Sequence, residues 1–539
     1  MQAWNRRRAG LALAALAFLA TVGAIASWPS AGDSARGARH ATDTLVWALP
    51  ATIRSLDYIH SAEANTATVV ALGLETLVQY DQTSGVLRPN LALSWSQPDR
   101  LTYVYKIRPG VKFWDGHPLT AEDVAFSLGQ NIDPAVGSQI FTFYTSVKSI
   151  VASSPDTVLV KLKTPDPFFK FAPAVTFIVE KAFATAHTKD IGTPGVLTMG
   201  TGPFQFTSYT PGESVVLQRF GGYWGAKPAL RQITIKFITD DTTRLLAMRS
   251  GAIDGAFSVP LAQIDQWKRI GGVKVNAAPE LRTGYLSIDT ADPPFNDVHV
   301  RRAIAYSFDK VGLLKAVLHG QGAVAPAMPP PEQWAGLIPR SSVDRLYRSL
   351  PQYSFDLTKA KAELAKSKYP HGFSTSIPVP DGEPTLGQAA LSLSQNLAKI
   401  GIKLKVNQIT SNAWFAIIYA HHNPLGLQIV SFAKDYPDAA DMIYLTLYSK
   451  YAVKNSFNTA NYKNAAVDRA FDQQRLTTNP RVRGGAIATV LRLAARDVPE
   501  VPFWYQNIAM GINSRKFAYR GFGTWYLYQP WARNIVPAK

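Results

Sequence analysis

The sequence predicts a large mixed α/β protein with more than one domain, and three observations support this fold class. The chain has 539 residues, which at roughly 100–200 residues per domain corresponds to two to four domains. Hydrophobic residues make up 47% and charged residues 17%, a balance that favours packed cores and excludes a disordered chain. Segments with strand and helix periodicity alternate without a fixed repeat, which argues against solenoids and propellers.

The N-terminus has the features of a secretory signal. Three arginines at positions 6–8 precede an uncharged apolar stretch, and the tripeptide at 24–26 (AIA) is typical of a cleavage site. We expect residues 1–26 to be a signal peptide, with an uncleaved membrane anchor as the alternative. Residues 27–43 are small, polar and turn-rich, and they predict a flexible lead-in. The mature protein is therefore expected to be exported and soluble.

In the first half of the chain, alternation predicts strands and 3.6-residue spacing predicts helices. Thr120, followed by Glu122 and Asp123, predicts a capped helix start with acidic residues in its first turn. The apolar spacing of residues 68–78 predicts a helix. Strands are predicted at 44–49, 101–107, 157–162, 214–219 and 232–237.

The second half is predicted to be richer in helices. A long helical region at 467–496 is expected to be interrupted at Asn479 and Pro480. Helices are also predicted at 298–318, 359–368 and 386–400, strands at 402–406 and 427–431, and strands with aromatic loops after residue 501.

The residues that enzymes and nucleic-acid binders need are not found together. The chain has no cysteine, which excludes thiol nucleophiles, thiolate metal sites and disulfides. The one G-x-G-x-x-A string, at 320–325, follows a predicted helix and runs into Pro326, so it is not a dinucleotide loop. The pair His421 and His422 is more typical of a solvated loop than of a metal site. We predict no enzymatic activity, no cofactor and no metal.

The chain is basic, with 56 Lys plus Arg, 38 Asp plus Glu and a formal net charge of +18. These cations are spread along the sequence and form no basic helix or recognition motif. We therefore predict no nucleic-acid partner and attribute the charge to solubility or surface association.

Seven segments occur in an order that points to one protein family. The most specific is the segment at 91–124, which contains LALSW at 91–95 and DRLTYVYKIRPGVKFWDGHPLTAEDV at 99–124. The others are GTGPF with GYW at 200–224, SGAID at 250–254, PFNDVHVRRAI at 294–304, DLTKAKAELA with YPHGF at 356–373, YKNAAVD at 462–468 and VPEVP at 498–502. Together they resemble the bacterial extracellular solute-binding proteins of family 5, the dipeptide- and oligopeptide-binding components of ABC importers.

The resemblance implies a periplasmic-binding-protein fold (type II, cluster C) with two hinged lobes around a ligand cleft. Lobe I would comprise 44–275 and 498–539, with a subdomain inserted at about 88–195, and lobe II would comprise 276–497. The two chain crossings would lie near 277–279 and 497–499. The resemblance further implies a periplasmic monomer that closes on its solute and docks on a membrane permease with its ATPase, without catalysis.

The family holds a peptide's α-ammonium with an acidic residue in a W-x-x-D-x-x-D-P segment, which residues 432–439 (FAKDYPDA) resemble. Asp435 falls on the ammonium-binding position, and its alternative role is to cap the following helix. Phe432, Lys434 and Ala439 depart from the family pattern, which weakens the case for peptides in particular.

Other candidate ligand contacts come from both predicted lobes. The strand ending in Phe432 and Ala433 would offer backbone groups to an extended ligand. The loop with Ser61, Glu63 and Ala64 lines the cleft in relatives, although a helix N-terminal turn is an equal alternative. The remaining candidates are Arg282 for a ligand carboxylate, or else as a solvated surface residue, and Tyr285, Trp414, Tyr436, Asn458 and Trp504 as walls of the pocket or of the core.

The leading hypothesis is an exported binding protein that delivers a peptide-like solute to a permease. The first alternative keeps the fold and changes the solute to an opine, a sugar or a nickel chelate. An exported peptidase or amidase, or a surface adhesion or signalling protein, would be a different class of function. A nucleophile with its base in the cleft would favour the enzyme, and a collapsed cleft would favour the adhesion protein.

Overall fold

A computed structural model describes residues 43–421 and 425–538 of the chain. The predicted signal peptide and nearly all of the predicted lead-in lie outside these residues, as do His422 and the side chain of His421. In the described part, no helix is both long and apolar enough to cross a membrane.

Strands and helices alternate along the described chain, which confirms the predicted mixed α/β class. The strands are β1 (Thr44–Leu49), β2 (Glu75–Thr76), β3 (Val78–Tyr80), β4 (Leu87–Pro89), β5 (Ala92–Asp99), β6 (Thr102–Ile107), β7 (Val147–Ser154), β8 (Thr157–Leu162), β9 (Phe177–Ile178), β10 (Phe204–Thr210), β11 (Ser214–Arg219), β12 (Gln232–Phe237), β13 (Gly255–Ala256), β14 (Val273–Ile288), β15 (Gly322–Val324), β16 (Ser374–Pro380), β17 (Lys403–Ile409), β18 (Leu427–Ala433), β19 (Glu500–Asn513), β20 (Phe517–Tyr519) and β21 (Ile535–Pro537).

The helices are shorter on average in the first half than in the second. They are α1 (Ala64–Val70), α2 (Ala121–Gly129), α3 (Ala172–Val175), α4 (Lys181–Ala186), α5 (Asp241–Ser250), α6 (Ile264–Lys268), α7 (Val298–Tyr306), α8 (Lys310–Ala316), α9 (Arg340–Ser349), α10 (Leu357–Ala365), α11 (Pro384–Ala398), α12 (Ser411–Phe415), α13 (Ala440–Leu447), α14 (Ala465–Arg475) and α15 (Pro480–Asp497). Single 3-10 turns occur at Tyr58–His60, Phe141–Tyr144, Phe169–Phe171, Leu261–Gln263, Pro331–Trp334, Ser449–Tyr451 and Trp531–Asn534, and a π-helical turn at Ala416–His421.

Two long strands run through the main sheet, whose order is β10-β11-β12-β1-β13-β19-β14-β18, with β15 also paired to β19. Strands β14 and β19 pair antiparallel from Val273 opposite Asn513 to Ser287 opposite Glu500. Their register shifts between Pro279 and Arg282, where Leu281 has a φ of 57°. Strand β18 pairs with β14 and forms one edge of the sheet in the described chain.

These two strands connect separate hydrophobic cores. Met510 and Ile512 of β19 pack in a core with Trp47 and Trp531, at the end where β19 neighbours β13. Val501 and Phe503, at the other end of β19, pack in a second core with Leu286 and Ile304. A third core around Tyr285 and Trp414 lies beside the second one. The sheet therefore contributes side chains to more than one hydrophobic core.

A fourth core belongs to the separate sheet β5-β6-β8-β7, which α2 covers. The N-terminus of α2 confirms the predicted cap. The Thr120 hydroxyl accepts a hydrogen bond from the Asp123 amide at 3.3 Å, and Asp123 Oδ2 accepts one from the Thr120 amide at 2.9 Å. This reciprocal pair satisfies two backbone donors at the start of the helix.

Two helix predictions are wrong in their extent. The helix predicted at 68–78 ends at Val70, and the Gly73 carbonyl oxygen instead accepts a hydrogen bond from the Gly202 amide at 2.9 Å. A Cβ on Gly73 would lie 2.6 Å from a ring carbon of Phe206, so this close approach requires glycine. The helix predicted at 298–318 is two helices, because Asp309 caps a second start at Lys310.

Candidate functional site

A cavity of about 580 Å³ lies beside the turn that joins β18 to α13. One wall comes from residues just before β7 and just after β8, and the other from residues that follow β18. Its lining includes six aromatic rings, three aspartates and one arginine. These are Phe143, Phe168, Tyr436, Tyr444, Tyr451 and Phe457, with Asp166, Asp435, Asp441 and Arg475. Such a wall can bury an apolar solute while orienting its polar groups.

Asp435 is the carboxylate that the sequence predicted for this site. Its side chain is exposed in the cavity, whose walls shield it in part from bulk water. This partial removal from bulk water raises the pKa of Asp435 to about 6, and the nearby Lys434 ammonium opposes the rise. An ammonium group bound here would replace the water that the carboxylate loses.

Asp435 does not cap α13, so the alternative role considered for it is wrong. The N-cap position of α13 is Ala439, and it is the Asp438 side chain that accepts a hydrogen bond from the Ala440 amide at 3.0 Å. Instead, the Asp435 amide donates a hydrogen bond to Oδ2 of Asp441 at 2.8 Å, and the Tyr436 amide donates to the same oxygen at 3.3 Å. The Asp435 side chain is left to the cavity.

Asp438, the second aspartate of the segment, has a structural partner. Arg483 donates to its two carboxylate oxygens at 2.7 and 3.0 Å, and both side chains are only 2% exposed. The Arg483 guanidinium also lies 5.1 Å from the centroid of the Phe168 ring. Because a buried carboxylate needs such a partner, Asp438 anchors the turn and is not available to a ligand.

Tyr436 joins the two walls of the cavity. Its ring centroid lies 5.1 Å from that of Phe168, 5.2 Å from that of Phe171 and 6.1 Å from that of Phe143. Tyr436, which follows Asp435, therefore carries the aromatic contact between the segments that flank β7 and β8 and the chain after β18.

Phe432 and Ala433 lie where the predicted strand placed them. Phe432 pairs with Thr283 and Ala433 with Arg282 in the β14–β18 ladder. The Phe432 ring centroid lies 5.9 Å from that of Phe457, which lines the cavity. Since β18 is an edge strand, its other side can pair with an extended ligand.

Arg282 is engaged within the protein. Its Nε donates to Glu280 at 3.1 Å and its Nη1 to the Ser431 hydroxyl at 3.4 Å. The neighbouring Glu280 carboxylate raises the pKa of Arg282 against the effect of burial. Lys434 donates to the Glu280 carbonyl oxygen at 2.9 Å and lies 5.0 Å from the Trp525 ring centroid. Burial lowers the pKa of this lysine to about 8.

The loop with Ser61, Glu63 and Ala64 begins α1, with Glu63 at the N-cap position. The Ser61 hydroxyl donates to Glu63 at 2.7 Å, and Arg54 forms an ion pair with the other carboxylate oxygen. Ala64 is exposed. The 3-10 turn just before this loop borders a second cavity of about 310 Å³, which Asp435 does not line. The structure does not bring these three residues to the 580 Å³ cavity.

Four other candidates lie in the interior. Tyr285 and Trp504 are each 1% exposed, and Trp414 is 6% exposed, all within hydrophobic cores. Asn458 is fully buried and donates to the carbonyl oxygens of Tyr448 and Tyr462. None of the four lines the 580 Å³ cavity.

Sequence reasoning missed several cavity residues. Asp441 was indistinguishable from an ordinary first-turn acid of a helix, and Phe143 and Phe168 come from a distant part of the chain. Arg475 ends α14, donates to the Tyr444 hydroxyl and lies 5.2 Å from that ring centroid. The tyrosines Tyr58 and Tyr528, whose pKa values are raised by burial, also feel the charge of Asp435.

One side-chain cluster in the described chain has the ligand types of a metal site. His117 Nδ1 lies 2.9 Å from Asp115 Oδ2 and 2.9 Å from Glu180 Oε1. The two carboxylates raise the pKa of His117, and the resulting imidazolium accounts for the cluster as ion pairs. The pair His421 and His422, considered above as a metal site, lies outside the described side chains.

Comparison with known proteins gives one family. The model of the bacterial extracellular solute-binding proteins, family 5 Middle, matches residues 86–453. The glutathione-binding protein GsiB of Escherichia coli O6:K15:H31 (strain 536) is 28% identical over 408 residues, which cover 74% of this chain and 76% of GsiB.

Two solved structures share the fold. The periplasmic binding protein DppA from Helicobacter pylori, in complex with the peptide STSA, has a TM-score of 0.73 at 24% identity, over 92% of this chain and 98% of DppA. The oligopeptide-binding protein AppA from Bacillus subtilis, in complex with a nonapeptide, has a TM-score of 0.69 at 20% identity, over 92% and 99% of the two chains. These likenesses confirm a two-lobed periplasmic-binding-protein fold.

Proposed function

The chain belongs to the bacterial extracellular solute-binding proteins of family 5, and from that premise we propose that it captures a peptide-like solute for an ABC importer. The single observation that carries the choice of solute is the Asp435 carboxylate. It borders a cavity of about 580 Å³ beside an edge strand, at the position where the family motif places the partner of a ligand ammonium.

The proposed binding mode uses three features of this site. The α-ammonium of the solute pairs with Asp435, in a cavity where an ion pair is less screened than in open water. The backbone of the solute pairs with backbone groups at the end of β18 that leads into Asp435. Its side chains pack against the aromatic rings that line the cavity, among them Phe143, Phe168 and Tyr444.

The named relatives support a peptide. GsiB binds glutathione, and the two structures contain a tetrapeptide and a nonapeptide. These solutes share peptide bonds, and the proposal for this chain is limited to that class of ligand. An opine, a sugar or a nickel chelate remains the alternative that the experiment below includes. Catalysis is not part of the proposal, because the family is one of binding proteins.

We propose that lobe I comprises residues 44–275 and 498–539, with a subdomain at about 88–195, and that lobe II comprises 276–497. The ligand closes the lobes about the β14–β19 crossing, and differential affinity for the closed form supplies the energy of closure. The proposed setting is the periplasm, with delivery to an inner-membrane permease and its ATPase. The protein would act as a monomer, without nucleic acid.

Titration calorimetry on purified residues 27–539 tests this function. The solutes are trialanine, glutathione, Ala-Ala, N-acetyl-trialanine, an opine, maltotriose and Ni²⁺ with histidine. We expect the free peptides to bind and Asp435→Asn to weaken them at least tenfold. Asp344→Asn is the matched control, because Asp344 pairs with Arg340 on the surface of α9. Binding of another solute alone would overturn the peptide assignment, and peptide affinity unchanged in Asp435→Asn would overturn the ammonium site.

A further inference from the structure

Asp441 lies behind the candidate ammonium site and holds its backbone. It stands in the first turn of α13, where its side chain is 1% exposed. Oδ2 accepts hydrogen bonds from the amides of Asp435 and Tyr436, and also from Gln333 Nε2 at 3.3 Å. One oxygen atom thus fixes both the residue that would bind the ligand and the residue that joins the cavity walls.

The other oxygen of Asp441 favours the protonated state, against the two amides on Oδ2, which favour the ionised state. Oδ1 is buried and has no hydrogen-bond partner among the described residues. A carboxylate with a buried, unpartnered oxygen is costly to ionise, whereas a carboxylic acid keeps its C=O oxygen as an acceptor. Burial, together with the charge of Asp435, raises the pKa of Asp441 well above its ordinary value.

Other charged or titratable groups also act on Asp441 or on its neighbours. They are Asp435 and Asp438 on the same turn, Lys434 at the end of β18, Tyr80 of β3 and Tyr436 against the subdomain. Among the described residues, Arg483 is the one cation that donates hydrogen bonds to this turn, and it donates them to Asp438. Asp441 has no cationic partner of its own within the described chain.

We propose that Asp441 acts as a neutral carboxylic acid that positions Asp435 for the ligand ammonium. Asp441 does not itself bind the ligand as an anion. This inference rests on the proposed function. It assigns two unlike roles to neighbouring acids: Asp435 supplies the negative charge, and Asp441 supplies a hydrogen-bond acceptor that keeps the turn in place. Similar side chains in different surroundings can divide their tasks in this way.

Substitutions separate the two roles. Asp441→Asn keeps a neutral acceptor of the same shape, so trialanine should bind within about threefold of the original chain. Asp441→Ala removes the acceptor, so trialanine affinity should fall at least tenfold. Asp297→Ala is the matched control, since Asp297 also accepts two backbone amides, from His299 at 2.9 Å and Lys368 at 3.0 Å, far from the cavity. It should leave affinity unchanged.

Two further measurements guard against a general loss of structure. N-acetyl-trialanine lacks the ammonium, so its weak binding should not respond to Asp441→Ala. The pH midpoint of trialanine binding, which we expect near the Asp435 pKa of about 6, should be the same in Asp441→Asn as in the original chain. This second readout does not depend on the alanine variant folding.

The proposal is overturned if Asp441→Asn weakens trialanine as much as Asp435→Asn does, because Asp441 would then bind as an anion. It is also overturned if Asp441→Ala binds like the original chain, or if Asp441→Asn moves the pH midpoint. If no peptide of the panel binds the original chain, the proposed function itself fails, and that outcome is distinct from all three.

Discussion

Ligand affinity should depend on pH through Asp435. The perturbation is a change from pH 7 to pH 5 at constant ionic strength. With a pKa of about 6, the carboxyl is roughly nine-tenths ionised at pH 7 and one-tenth ionised at pH 5. If only the ionised form binds an ammonium, trialanine affinity should fall about tenfold over this range.

The direction of this effect follows from the partial removal of Asp435 from bulk water, which raises its pKa. Because the pKa is raised, the free site takes up a proton as the pH falls through 6, and the ligand ammonium must displace it. The amino group of a peptide has a pKa of about 8, so the ligand keeps its charge between pH 5 and pH 7. Above pH 8 the ligand loses its proton, and affinity should fall again. Trialanine affinity should therefore be highest and nearly constant between roughly pH 6.5 and 7.5.

Titration calorimetry at half-unit intervals of pH measures this profile. The control is Asp435→Asn, which should bind trialanine weakly and with the same affinity at pH 5 and pH 7. A Kd for the original chain that changes less than twofold between these pH values would refute the reasoning. So would an equal pH dependence in the two proteins, because another group would then control binding.

Three other changes have definite expected results. Asp438→Asn leaves Arg483 buried without its charge partner and should lower the free energy of unfolding by about 3–5 kcal/mol in urea titrations, whereas a loss below 1 kcal/mol would mean that the pair is solvated. Gly73→Ala places a methyl group 2.6 Å from the Phe206 ring and should cost roughly 1–3 kcal/mol in the same assay, and an unchanged midpoint would show that the ring moves freely. Glu63→Gln should change peptide affinity by less than twofold in calorimetry, because the Glu63 carboxylate already bonds to Arg54, Ser61 and Thr66. A larger loss of affinity would show that the loop before α1 contributes to ligand binding.

The sequence predicted elements well where local chemistry decides the structure. Thr120 and Asp123 form the reciprocal cap that their spacing indicates, and the break at Asn479 and Pro480 separates α14 from α15. In each case, the cause and the effect lie within a few residues. The strand that leads to Asp435 was also predictable, as an apolar run of the right length.

Long-range contacts account for most of the failures. Gly73 is set by its close approach to Gly202 and Phe206, which apolar spacing within 68–78 does not reveal. Tyr285 and Trp504 have residue types that suit a pocket wall as well as a core, and only their neighbours decide between the two. Phe168 reaches the site because the segment that follows β8 packs against Tyr436.

The placement of β19 determines when the protein can fold. Strand β1 stands near the beginning of the described chain, yet its neighbour β13 pairs with Gly511 and Ile512, near the end. The Trp531 indole also donates to the carbonyl oxygen of Thr68 at 2.8 Å. The first core therefore cannot close while the ribosome is still making the chain. Contacts of such high sequence separation form slowly, and this delay would keep the polypeptide unfolded for the secretory route that its N-terminus predicts.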